Sequence, residues 1–183
     1  VSRIMSLEGT RHNFKKEVAE MVSEYDVPAA AWFIEQNAYP VTPYSIIMEI
    51  ALQPPAFLSV YLGVTLLYPD VELGFRNLGS KANLIYIPDL RGKTVVSRTK
   101  MVSVANVAET VIVTFEYDVC CDGLSFYQGT TQFGYFTPKA LSIQKGLDRG
   151  EKVPPWFKRN GLNQADGVEI DLTSPENRNQ YFS

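Results

Sequence analysis

The feature that most constrains this chain is an apolar helix with one polar stripe. Between Tyr44 and Gln53, the residues Ile46, Ile47, Met48, Ile50, Ala51 and Leu52 leave little surface for water, whereas Ser45, Glu49 and Gln53 recur at every fourth position. A four-residue interval puts side chains above one another on one face of a helix. A helix apolar on nearly all its other sides belongs in a core. Its polar stripe must then meet either water in a cleft or a partner group. Pro43 suits the first turn of such a helix. Pro54 and Pro55 predict a kink or break after Gln53, since proline removes a donor and crowds the preceding turn. Ala56 to Gly63 then resumes with Phe57, Leu58, Val60, Tyr61 and Leu62.

The cover for that helix has to come from the rest of the chain. Val95 to Ala105, Thr110 to Val119 and Leu124 to Phe136 are rich in Val, Thr, Phe and Tyr, which favour strands. Val111, Val113, Phe115, Tyr117 and Val119 alternate with more polar neighbours and mark one buried face. Asp122-Gly123 is a hairpin turn signal, and only about four residues near Asn106 to Glu109 separate the first two strands. The three segments therefore form an antiparallel meander. Upstream, Phe14, Val18, Met21 and Val22 fit one face of a short helix over Asn13 to Glu24, with Asn13 as N-cap. Ala29 to Ile34 reads as a buried strand, with Trp32 filling core volume. The expected class is α+β, a long antiparallel sheet around a central helix. The expected divisions are a helical lead-in over 1–26, the main domain over 27–150, and a polar linker over 151–183.

Composition narrows the function. The chain has 183 residues with 17 basic and 20 acidic side chains, a net charge of −3, so no basic surface for nucleic acid is expected. The apolar run Ile46 to Leu52 is interrupted by Glu49 and is far short of the roughly 18 residues of a membrane span. No signal-peptide pattern is seen, and a first residue of Val rather than Met suggests a piece of something longer. The two cysteines are neighbours, Cys120 and Cys121, which disfavours a bridge between them and fits a reducing, cytoplasmic setting. One histidine and no separated thiol pair leave no metal site in prospect.

Several segments carry a resemblance. They are Val27-Pro28-Ala29-Ala30-Ala31-Trp32-Phe33, Pro43-Tyr44-Ser45-Ile46-Ile47-Met48-Glu49-Ile50-Ala51-Leu52-Gln53-Pro54, Phe75-Arg76-Asn77-Leu78-Gly79, and Phe126-Tyr127-Gln128-Gly129 with Phe133-Gly134-Tyr135-Phe136-Thr137, followed by Gln144-Lys145-Gly146-Leu147-Asp148. Over roughly residues 25 to 157 the chain resembles the dehydratase-type hotdog domains of polyunsaturated fatty acid synthases and iterative polyketide synthases. The resemblance implies a 3-hydroxyacyl dehydratase whose substrate rides on the phosphopantetheine of an acyl carrier protein, with no other cofactor. It also implies that two hotdogs pair and that each site combines groups from both. A histidine takes the α-proton and a helix carboxylate helps the β-hydroxyl leave as water. The helix motif carries over onto Glu49 as that carboxylate and Gln53 as its hydrogen-bonding companion.

The histidine does not carry over. Trp32-Phe33-Ile34-Glu35-Gln36-Asn37 stands where it is expected, Tyr44 replaces the usual glycine, and the only histidine, His12, falls outside the motif in a polar stretch. In tandem arrangements a first hotdog with Trp-Phe and Met-Glu pairs with a second that supplies the histidine, and this chain resembles the first. The isolated chain is therefore expected to be inactive. Glu49 and Gln53 serve either a site completed by another hotdog or, alternatively, nothing catalytic, in a scaffold hotdog that shapes the acyl tunnel. A hotdog thioesterase is a weaker third reading. Arg76 and Asn77 suit an arm or interface, and Gly129 and Gly134 suit close packing within a strand.

Overall fold

The computed structural model describes residues 1–12, 19–39, 41–145, 154–161, 171 and 173–176. By internal contacts the chain divides into Val1–Ile143 and Gln144–Ser183. In the first unit the order is β1 (Arg3–Glu8), β2 (Ala19–Asp26), α1 (Trp32–Glu35), α2 (Tyr44–Tyr61), a 3₁₀ turn (Val64–Leu67), β3 (Gly74–Leu84), β4 (Thr94–Val107), β5 (Thr110–Cys121), β6 (Leu124–Phe136) and α3 (Pro138–Ser142). The six strands form one sheet in the order β1-β2-β4-β5-β6-β3, with every neighbouring pair antiparallel. The second unit contributes a short helix, α4 (Trp156–Arg159).

The meander forms as its alternation requires. Val111, Val113, Phe115, Tyr117 and Val119 of β5 are buried, while the residues between them are less so. Both hairpin turns place two successive residues at positive φ, Ala108 (49°) with Glu109 (60°) and Asp122 (52°) with Gly123 (79°). That backbone twist matches the twist of the flanking strands. Helix α2 packs on the inner face of the sheet, against β2, β4 and β5. Ile47, Ala51, Leu58 and Leu62 are its buried apolar contribution, and they share one buried cluster with Met21, Val95, Phe115 and Phe133 of the strands.

Four expectations need correction. Of the predicted helix over Asn13 to Glu24, 13–18 lie outside the described residues, and the rest is not helical: from Ala19 the chain is strand β2, paired with β4 from Ala19↔Met101 to Asp26↔Thr94. Met21 and Val22 fit a helical face, but Ala19, Met21 and Ser23 are the buried set, a period of two, and the open edge of β4 decides between the patterns. With β1 added outside β2, residues 3–8 and 19–26 of the lead-in are strands of the sheet rather than helical. Residues 29–34 are not a buried strand, because Trp32 to Glu35 make a single helical turn in which only Ile34 is buried and Trp32 is 68% exposed.

The third correction concerns the proline pair. Helix α2 runs unbroken through Pro54 and Pro55, both buried. Their missing N–H groups leave the carbonyls of Ile50 and Ala51 without the usual helical donors, and packing on both flanking turns holds the helix across that gap. Beyond it, the Ser59 hydroxyl donates to the Ala56 carbonyl and is hydrogen-bonded to the Tyr135 phenol. The fourth correction is that α2 is buried on one side only: Tyr44, Phe57 and Val60 join the polar stripe on an outward face. A further strand has no counterpart in the sequence pattern. β3 exposes nearly every residue and is held by β6 from Gly74↔Phe136 to Leu84↔Tyr127, with an irregularity between Asn77 and Gly79.

Candidate functional site

The polar stripe forms as its spacing requires. Ser45, Glu49 and Gln53 all lie on the exposed side of α2, and Gln53 Nε2 donates to Glu49 Oε2 at 2.9 Å. No ion pair among the described residues engages Glu49. One carboxylate oxygen is thus oriented by the amide one turn on, while the other is left to whatever covers this face. A carboxylate held in this way can exchange a proton with a reacting group placed over the helix.

His12 does not join it. Its backbone N–H donates to the Leu62 carbonyl at 2.9 Å, and a Cβ on Gly63 would lie 3.0 Å from its ring. It therefore packs at the C-terminal end of α2, roughly 20 Å from Glu49 along the helix axis at 1.5 Å per residue. Arg11 beside it lies 4.7 Å over the Tyr61 ring, which in turn stacks on Phe57. Arg11 and His12 thus hold the far end of α2 and have no part in proton transfer at Glu49.

The N-terminal end of α2 is different. A cleft of about 610 Å³ opens there, lined by Asn37, Tyr39, Val41, Thr42, Pro43, Tyr44, Ile47, Leu84 and Ile87. Among the described residues no charged side chain lines it. Thr42 Oγ1 is buried beside it without a hydrogen-bond partner. Tyr44, the first residue of α2, reaches the Tyr127 hydroxyl at 3.0 Å, its ring edge-on to that of Tyr127. Burial, with the phenols of Tyr117 and Tyr44 beside it, holds Tyr127 well above the ordinary tyrosine range, and burial likewise raises Tyr117. Both phenols stay protonated at neutral pH.

Gly129 makes this arrangement possible. A Cβ there would come within 2.8 Å of the Tyr117 hydroxyl and 2.9 Å of Ala82 Cα. At Gly134 a Cβ would meet the Phe136 ring and lie 3.1 Å from Leu78. Both are close-packing positions. Arg76 and Asn77 bond within their own strand, Arg76 to the Phe75 carbonyl and Asn77 to the Gly79 N–H, so neither is held at the stripe by a hydrogen bond. Of the Gln144 to Asp148 segment, 146–148 lie outside the described residues.

Sequence reasoning locates Glu49 and Gln53 and marks Tyr44 as a departure, but it misses the pairing of Tyr44 with Tyr127, which lie 83 residues apart. The two cysteines are free and buried, and burial raises both thiols. Among the described residues no group of three His, Cys, Asp or Glu side chains could hold a metal ion. No described helix is long and apolar enough to cross a membrane.

Comparison with known proteins gives three findings. No family model matches the chain. It is 37% identical over 154 residues to a subunit of the polyunsaturated fatty acid synthase of Thraustochytrium sp. (strain ATCC 26185 / S-3), covering 83% of this chain but 10% of that much longer relative. Among solved structures it is similar to the dehydratase heterocomplex ApeI:P from Xenorhabdus doucetiae, with a TM-score of 0.51 and 14% identity over 74% of this chain and 86% of the other. It is also similar to a probable thioesterase from Bartonella henselae, with a TM-score of 0.50 and 11% identity over 67% and 95%.

Proposed function

We propose that this hotdog-fold domain, which resembles the dehydratase-type hotdogs of polyunsaturated fatty acid synthases, is one half of a 3-hydroxyacyl dehydratase site. Glu49, oriented by Gln53, is the carboxylate that assists departure of the β-hydroxyl. A second hotdog supplies the base that removes the α-proton, and an acyl carrier protein in the cytoplasm presents the chain as a thioester. The observation that carries this reading is the Gln53–Glu49 hydrogen bond on an outward helix face, with no cation among the described residues to neutralise the carboxylate. The carboxylate is thus held by an amide rather than neutralised, on the exposed side of a helix whose other side is buried against the sheet. The long exposed edge of β3 supports a partner as well, since unpaired strand edges are usually covered.

The test is product analysis of the synthase carrying Glu49→Gln, which keeps the shape and removes the titrating proton. Accumulation of 3-hydroxyacyl product with unchanged melting supports the half-site. Unchanged product with unchanged melting leaves the scaffold reading in its place. The isolated chain should not turn over 3-hydroxyacyl thioesters, because a positioned proton acceptor is typically worth roughly 10²–10⁴-fold and the one histidine sits at the far end of α2.

A further inference from the structure

Helix α2 is anchored differently on the two sides of its proline pair. Past the prolines, the Leu62 carbonyl accepts from the His12 N–H, Arg11 lies over the Tyr61 ring, and the Ser59 hydroxyl bonds the Ala56 carbonyl and the Tyr135 phenol. Leu58, Ser59 and Leu62 are fully buried. Before the prolines, Ile47, Ala51 and Leu52 hold the helix by apolar packing. Among the described residues, the one side-chain hydrogen bond from this half to the sheet joins the half-exposed Tyr44 to Tyr127. Two cavities border its first turn, the cleft of about 610 Å³ at Tyr44 and Ile47 and another of about 290 Å³ at Ser45 and Ile46, walled by Trp32, Phe33 and Gln36.

The two halves are also poorly joined. An uninterrupted α-helix has four i→i−4 hydrogen bonds crossing every residue boundary. Between Gln53 and Pro54 half of them are missing, because neither proline offers an N–H to the Ile50 and Ala51 carbonyls. Opening residues 44–53 therefore breaks few bonds to the rest of the helix and leaves the contacts of Ser59, Tyr61 and Leu62 in place. We propose that the proline pair divides α2 into two cooperative units, the first of which opens from the sheet without the second. Units that open locally often coincide with supersecondary motifs, whereas here the boundary falls inside one helix. Glu49 and Gln53 both lie in the first unit, so their hydrogen bond forms and breaks with its seating. This division concerns where the stripe is held, not what it catalyses, and so stands apart from the dehydratase reading.

Hydrogen exchange of the full 183-residue chain, followed residue by residue by NMR under native conditions, tests the division. After correction for intrinsic rates, the amides of 48–53 should exchange roughly 30-fold or more faster than those of 58–62, the combined worth of two hydrogen bonds. Pro54→Ala/Pro55→Ala supplies both missing donors and should narrow that gap by about 30-fold. Removing two buried prolines also costs packing, which speeds exchange throughout the helix, so the ratio of the two halves is the quantity read. If the double variant does not fold, Pro54→Ala restores one donor and should narrow the gap by roughly 5-fold. Equal exchange on the two sides of the prolines in the wild-type chain overturns the division, as does a gap that neither variant narrows. The second result assigns the faster exchange to fraying at the helix start, which residues 54 and 55 do not touch.

Discussion

Replacing Gly129 with alanine should be among the most damaging single-methyl changes in the sheet. The new Cβ would lie 2.8 Å from the Tyr117 hydroxyl and 2.9 Å from Ala82 Cα, and would press harder still on the Lys81 carbonyl oxygen of the neighbouring strand. Two of these three atoms are backbone and cannot swing aside. Relief requires β3 to move away from β6 at the Ala82↔Gly129 pair. Overpacking of this kind typically costs about 1–3 kcal/mol, and backbone neighbours place it at the upper end. For a chain of this size about 3 kcal/mol lowers Tm by roughly 6–12 °C. Gly79 of the same strand pair is the control, because a Cβ there meets nothing within 4 Å. Thermal melts of Gly129→Ala and Gly79→Ala should differ by most of that interval. Equal melting temperatures would refute the close approach of β3 and β6, and with it the placement of Tyr117 beside Tyr127.

Two more expectations concern single groups. Ser59→Ala strips the Tyr135 phenol of its partner inside the core and should destabilise by about 1–3 kcal/mol in urea unfolding, whereas Tyr135→Phe in the Ser59→Ala background should recover part of the loss. The Arg91 guanidinium beside Asp89 holds that carboxyl down at about 2. A depressed carboxyl adds stability above its unfolded value of about 3.9 and loses it as pH falls toward 2. The pair is exposed, so the check is the Asp89 titration midpoint by NMR, which should climb toward the ordinary range in Arg91→Ala.

What can be read from the chain depends on which residues carry their own pattern. β5 is legible because five alternate side chains fill the core, and the hairpin at Asp122-Gly123 because its backbone demands those residue types. β2 misleads because Met21 and Val22 satisfy a helical face as well as a strand, and only the edge of β4, distant in sequence, chooses. β3 has no pattern to read: Arg76, Asn77, Gly79, Ser80, Lys81 and Asn83 are all exposed, and backbone pairing to β6 makes the strand. Pro54 and Pro55 signal a break locally, yet tertiary packing carries the helix through. At the site, the Glu49–Gln53 pair obeys a four-residue rule, while the Tyr44–Tyr127 bond follows from the fold alone.

The position of β2 also sets a timetable for synthesis. It joins β1 within a hairpin-sized stretch, but its other neighbour begins only at Thr94. At roughly 5–20 residues per second, a ribosome takes on the order of 3–14 s to travel from the end of β2 to that point. For about the second half of that interval, once Tyr61 has been added, α2 exists without most of the sheet that will cover it, and the apolar faces of Met21 and Leu58 lack their cover. A chaperone that recognises apolar helices would find its longest opportunity here, and it would have to let go as β4 arrives.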